Sequence, residues 1–378
     1  MLSNTYHQYT LGNCYYMSII RSVLGDISPQ DLGITSVHEH LLLDVSCYLE
    51  ALMPAHLTAS QIKLMNSPVK IDILGDLMFD PMMNKANLLL EDLELAIKEL
   101  SAFKAMGGDS IVDTTPPGAG RDIKKLRVIS EATKINIIAS TGWYAYPSHT
   151  PIVEKSSKTE LADIMVKELT EGADNTDIKT GIIKCAIGGL TGNPESPIES
   201  RVMHPDEEKV LRAAALAQKI TGSCITVHPC VSKKDGHKYL DILLEEEADI
   251  SHFYLGHMDI TYPDIDLKYL TSLLDRDISI SLDCFGWEYY SGTFYKGSYI
   301  PDKERINAVV ALCEQGYEKQ IMLAQDVATK NRLVKYGGYG YGHLLKNIIP
   351  RIKNNGVSNK QIEQMLKLNP KNLLPIKK

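Results

Sequence analysis

The chain has no C-x-x-C pair, no G-x-G-x-x-G turn, no low-complexity tract and no excess of basic charge. It also has no apolar run approaching the roughly 20 residues of a membrane span. Each absence excludes something. The cysteines at 14, 47, 185, 224, 230, 284 and 313 are odd in number, scattered, and in several cases set in apolar segments. That pattern fits reduced, buried thiols and a cytoplasmic protein better than a disulfide framework. The N-terminal stretch CYYMSII is too short for a signal peptide and closes on Arg21. A net charge of −7 argues against a nucleic-acid surface. The missing glycine-rich turn counts against a doubly wound dinucleotide-binding sheet.

What is present is ordinary globular composition, 44% apolar and 23% charged over 378 residues. Residues 1–16 are polar and irregular and read as a leader of uncertain origin, with Met17 as a possible start and 17–378 as a single domain. Short β-branched runs at 34–40, 110–115, 135–141, 180–187, 223–229, 252–257, 278–285 and 320–326 read as strands. Segments with helical spacing lie between them, at 88–107, 207–222 and 303–317. A closing helix is expected at 356–374, capped by Ser358 or Asn359. Eight strand–helix units with strands apolar throughout predict a (β/α)8 TIM barrel. The stretch 41–87 is too long for a plain connection and reads as an elaborated βα loop with short helices of its own.

In such a barrel the C-terminal ends of the strands carry the chemistry. The first strand ends in VHEH, the fifth in His228, the sixth in His257 and the eighth in Asp326. His38 and His40 are two apart, so both point to one side of a strand. Taken singly, a strand-end histidine is ordinarily a packed rim residue and an aspartate after a strand is ordinarily a cap. Together they crowd imidazoles and a carboxylate at one rim, which is unfavourable without a cation. Such ligands suit Zn²⁺, and also Mn²⁺, Co²⁺ or Fe²⁺. Five are too many for one catalytic zinc, so two divalent ions bridged by an anion are expected.

Lys184, in GIIKCAIGG, stands where a buried strand expects Val or Ile. A buried lysine is readily neutralised. Its free amine can add carbon dioxide to give a carbamate, N6-carboxylysine. That is a carboxylate on a long arm, suited to bridge the pair.

The stretches VHEHLLLD, GIIKCAIGG, ITVHP, YLGHMD, MLAQD and NPKNLL, in this order, resemble the phosphotriesterase family of the amidohydrolase superfamily, from about Ile19 onward. The resemblance implies that His38, His40 and Asp326 bind one metal, that His228 and His257 bind the second, and that carboxylated Lys184 and a hydroxide bridge both. It implies Asp326 as general base or proton shuttle, and Tyr144 at the carbonyl end of the substrate. It also implies a homodimer.

Lys233 and Lys234 after the fifth strand, and Lys296 after the seventh, read as a phosphate-binding rim. The resulting expectation is a hydrolase of a phosphorylated sugar lactone. The alternatives are a broad phosphotriesterase or aryl esterase, and a non-phosphorylated lactonase. A deaminase-like or peptidase-like amidohydrolase fits the lysine bridge and motif order less well, and a non-catalytic metal protein does not need every ligand in place. The expected partner is a small lactone or phosphoester, with neither nucleic acid nor membrane involved.

Overall fold

The computed structural model describes residues 18–52, 56–188, 202–230, 233–260, 264–291 and 297–377. The expected leader, residues 1–16, lies outside them, as do Met17 and Lys296.

Eight parallel strands run in sequence order around a nearly closed barrel: β1 Thr35–Glu39, β2 Ser110–Asp113, β3 Asn136–Trp143, β4 Ile182–Ala186, β5 Cys224–His228, β6 Phe253–Leu255, β7 Ser279–Leu282 and β8 Ile321–Leu323. Every expected strand is found. Side chains alternate across a strand, so the residue two places on from an interior position also points inward. Ile182 on β4 and Cys224 on β5 belong to the interior core with Val112, Ile138, Tyr254 and Met322. One step further towards the C-terminal rim, the same faces present Lys184 and Thr226, and then His228. The register of β1 against β2 shifts between Ser36 and Glu39. Such a bulge re-aims side chains near a barrel rim, here those of His38 and His40.

The seam between β8 and β1 is held by one buried carboxylate. Glu39 accepts hydrogen bonds from Ser36 Oγ (2.7 Å), Gln325 N (3.0 Å), Gln325 Nε2 (3.1 Å) and Val327 N (2.9 Å). Asp326 N donates to His38 O across the same seam at 3.1 Å. The opposite mouth is covered by a hairpin, Ser18–Ser22 with Gly25–Ile27, to which Ile376–Lys377 adds antiparallel.

The helices that cover the barrel include α1 Leu93–Ala105, α2 Ile123–Thr133, α3 Lys158–Thr170, α4 Pro205–Thr221, α5 Gly236–Glu245, α6 Leu267–Leu274 and α7 Asp302–Glu314. The helix expected at 88–107 starts later, at Leu93, because the Asp92 side chain accepts from Leu95 N and caps it there. Ser358 caps the closing helix through a capping box with Gln361. That helix is not uniform. Gln364–Leu368 is π-helical, and the following segment has Pro370 in its first turn. Leu344–Ile348 precedes Pro350 in the same way. A proline cannot donate to the turn before it, and a wider turn accommodates that loss. The 41–87 excursion holds the short helices Cys47–Leu52, Ala59–Asn66 and Leu74–Phe79, as expected. No described helix is long and apolar enough to cross a membrane.

Candidate metal centre

The C-terminal rim brings His38, His40, Lys184, His228, His257 and Asp326 together. Their rings and polar atoms form one connected cluster. The His38 ring centroid lies 5.7 Å from that of His40 and 4.5 Å from that of His257, and His257 lies 4.4 Å from His228. Asp326 Oδ1 is 3.2 Å from His40 Nε2 and 4.0 Å from His38 Nε2. Lys184 Nζ is 3.1 Å from His38 Nε2.

The proton on each ring follows from its outer partner. Asp283, at the end of β7, sets Oδ2 2.9 Å from His38 Nδ1 and Oδ1 2.7 Å from His257 Nδ1. Both Nδ1 atoms face a carboxylate and therefore carry the proton, so each Nε2 is a lone pair. His40 Nδ1 lies 2.7 Å from Thr115 Oγ1. With Nδ1 donating to that hydroxyl, His40 Nε2 is also a lone pair, and it meets the carboxylate of Asp326. Asp326 Oδ1 is buried and has no well-directed hydrogen bond. Lone pairs converging on a carboxylate oxygen in a dry site are mutually repulsive unless a cation lies between them. His38, His40 and Asp326 form a group that could hold a metal ion, their ligand atoms all within 4.8 Å of one another. The donor set, imidazole nitrogen with carboxylate oxygen, suits a divalent transition ion.

Burial and neighbouring charges polarise the site. Burial, helped by Lys184, pushes His38 down to about 3 despite Asp283. Burial, helped by His257 and Lys184, holds His228 well below its ordinary value. For His257 burial acts downward, but the charge of Asp283 outweighs it and the net shift is upward. Burial favours the neutral acid at Asp326, but the surrounding histidines outweigh it and hold the carboxyl well below its usual range. Burial lowers Lys184 to about 8, against the opposing pull of Asp326 and Asp283. Its free amine is therefore within reach near neutral pH.

Backbone strain collects here too. His257 and Asp326 both occupy the left-handed region, at φ of 55° and 52°. Non-glycine residues in that region persist only where their surroundings hold them. Trp287 Nε1 supplies part of that hold by donating to Asp326 O at 2.9 Å. Gly256 makes room for the cluster, since a Cβ there would lie 3.3 Å from both Asp283 Oδ2 and His38 Nδ1. A Cβ at Gly142, which pairs with Lys184 across β3 and β4, would meet Lys184 O at 2.2 Å.

A cavity of about 100 Å³ opens beside the cluster. His40, His228, His257 and Asp326 form its floor, while Leu43, Tyr48, Met82, Ile260, Trp287 and Tyr299 give it apolar and aromatic walls. Tyr144 also lines it, with its hydroxyl 3.2 Å from His228 Nδ1. Lys233 and Lys234 do not line it. Lys234 Nζ pairs instead with Asp266 Oδ2 at 2.5 Å.

Residues that sequence reasoning passed over are Asp283, Glu39, Thr115 and Trp287. Asp283 carried the same signal as Asp326, a carboxylate at a strand end. Glu39 was visible as the middle residue of His–Glu–His. Nothing in the chain pointed to Thr115 or Trp287, whose partners are far away in sequence.

The phosphotriesterase family model matches residues 18–374. The N-acetyltaurine hydrolase of Xenopus tropicalis is 36% identical over 365 residues, covering 95% of this chain and 98% of that protein. A resiniferatoxin-binding protein from Rhodobacter sphaeroides superposes with a TM-score of 0.85 at 33% identity, over 94% of each chain. A lactonase from Listeria monocytogenes superposes with a TM-score of 0.73 at 25% identity, over 94% of this chain and 99% of that one. With the barrel, the rim cluster and these likenesses together, the chain belongs to the phosphotriesterase family and is a hydrolase.

Proposed function

We propose that the chain is a binuclear metal-dependent hydrolase acting at a carboxylic carbonyl, and that its substrate is an N-acyl amide with a small acyl group. The observation that carries the reaction class is the convergence of Asp326 Oδ1 with the Nε2 atoms of His38 and His40 beneath a small, largely apolar cavity. The amide reading is supported by relatives named as N-acetyltaurine hydrolases, including a protein from Dictyostelium discoideum at 34% identity over 377 residues.

In this reading His38, His40 and Asp326 would hold one cation, and His228 and His257 would hold the other. A pair of divalent ions, when bound, polarises the carbonyl oxygen and lowers the pKa of water towards neutrality. The amine of Lys184 would add carbon dioxide and release one proton, giving a carbamate anion that could serve both cations as a ligand. Asp283 fixes the rings of His38 and His257 with their lone pairs towards the site. Asp326 takes the proton of the attacking water and delivers it to the leaving amine, which cannot depart as an anion. The Tyr144 hydroxyl orients the carbonyl end of the substrate. The apolar walls exclude water around the acyl group.

A lactone is the second reading, favoured by the likeness to the Listeria lactonase. It uses the same site, with an alkoxide in place of the amine. A phosphorylated sugar lactone has less support. Lys233 and Lys234 do not line the cavity, and the relatives bear a different name. The test is a panel of N-acetyl amides, including N-acetyltaurine, with plain lactones, phosphorylated lactones and aryl esters, presented to protein loaded with zinc or manganese. The expected result is release of acetate from an N-acetyl amide with the highest kcat/KM of the panel. Lactone opening without amide cleavage would move the assignment to the second reading.

A further inference from the structure

Glu207 is the third residue of α4, and its side chain closes a capping box with His204. In a capping box the N3 carboxylate need accept from only one amide, that of the N-cap residue. This carboxylate does more. Its Oε2 accepts from His204 N at 2.9 Å, while its Oε1 accepts from Tyr146 N and Gly188 N, both at 3.0 Å. The side chain is buried, with 1% of the residue exposed. One carboxylate thus joins three segments: the loop after β3, the loop after β4 and the start of α4.

Two of these segments form the wall of the cavity. Gly188 lines it directly, and Tyr146 follows Tyr144 and Ala145, which line it too. The loop after β3 is pinned at two further points. His149 Nε2 lies 2.8 Å from Tyr144 O, and the Tyr146 ring stacks on His204 at 3.7 Å. The Tyr144 hydroxyl, at the inner end of this scaffold, meets His228 Nδ1. A buried carboxylate with three charge-assisted bonds is a stiff anchor, because releasing any one amide leaves a buried donor unpaired.

We infer that Glu207 is a positioning residue: it fixes the loop after β3 so that the Tyr144 hydroxyl stays on His228 at the edge of the cavity. Its catalytic consequence rests on the proposed contact of Tyr144 with substrate, but its geometric consequence does not.

Two arms keep these apart. The first reads geometry without turnover. In metal-free protein with ¹⁵N-labelled histidine, the His228 Nδ1 resonance is compared among wild type, Tyr144→Phe and Glu207→Ala. The expected result is that Glu207→Ala moves His228 towards its Tyr144→Phe position, while His40 and His257 hold still. Glu207→Gln, whose single carbonyl oxygen can still accept from Tyr146 and Gly188, is expected to restore most of the wild-type position. An unmoved His228 resonance, or a shift spread over all the site histidines, overturns the inference. If Glu207→Ala does not fold, Glu207→Asp withdraws the carboxylate by one methylene and is held to the same two outcomes.

The second arm is kinetic. Glu207→Ala should lower kcat about tenfold in the wild-type background and less than about twofold in Tyr144→Phe, because residues acting through one contact are not additive. Equal losses of several-fold in both backgrounds overturn the inference. A moved His228 resonance with unchanged kcat in both single variants leaves the inference standing and removes Tyr144 from the catalytic reading.

Discussion

Asp283 holds His257 by two bonds at once: its Oδ1 accepts from His257 N at 3.0 Å and lies 2.7 Å from His257 Nδ1. Its other oxygen faces His38 and also accepts from Ser281 Oγ. One carboxylate therefore sets the tautomer and aim of a histidine from each proposed metal. Outer partners of this kind are typically worth 10–100-fold in metal affinity or activity. Asp283→Asn should weaken metal retention by roughly that factor, about 10–100-fold, while the fold stays intact. Metal content after dialysis against graded chelator measures this. Retention equal to wild type would show that the histidines aim themselves.

Asp326 combines an unsatisfied buried oxygen with a left-handed backbone held by Trp287. As proton carrier it should matter more to turnover than to metal binding. Asp326→Asn is expected to keep most of the metal and to lose a factor on the order of 10² or more in kcat. Near-normal turnover would remove it from proton transfer.

Glu39 closes the barrel seam, and burial pushes it up to about 7 against the hydrogen bonds from Val327, Ser36 and Gln325. Its folded pKa lies above its unfolded value. The stabilisation it contributes is thus complete below its unfolded pKa and is lost as pH rises through its folded one. Glu39→Gln removes that dependence. In metal-free protein the stability difference between wild type and Glu39→Gln should therefore change most between about pH 4.5 and 7, moving against wild type as pH rises. Urea midpoints across this range measure it, and a constant difference would mean that Glu39 keeps an ordinary carboxylate pKa.

Lys233 and Lys234 were expected to grip a phosphate, and neither lines the cavity. Removing both, by Lys233→Ala with Lys234→Ala, should alter KM for a phosphorylated lactone and for its plain analogue equally. A rise confined to the phosphorylated compound would restore the phosphate reading.

The fold was legible because β-branched runs and helical spacing follow directly from burial on a parallel sheet. The rim cluster was legible because a single strand-end histidine is ordinary packing, but four of them coincided with a strand-end aspartate. Asp283 was lost among ordinary strand-end carboxylates, since its meaning depends on two rings, one after the neighbouring β6 and one on β1. The pairing of Lys234 with Asp266 was not legible, because a contact of that kind leaves no local mark. Amide and ester cleavage share one set of ligands, so no motif separates them. The distinction rests on the cavity walls and on relatives. The π-helical turns before Pro350 and Pro370 arise from the prolines themselves, yet spacing alone reads as a plain helix.

The most direct test concerns Lys184, buried on β4 with its Nζ against His38 Nε2. The metal-to-protein ratio of chelated and reloaded protein should be about two in wild type. Lys184→Ala should hold markedly less metal and lack turnover, with partial recovery of both on adding a short-chain carboxylate. Two ions retained and full activity in Lys184→Ala, with no response to added carboxylate, would contradict the bridged pair on which the account rests.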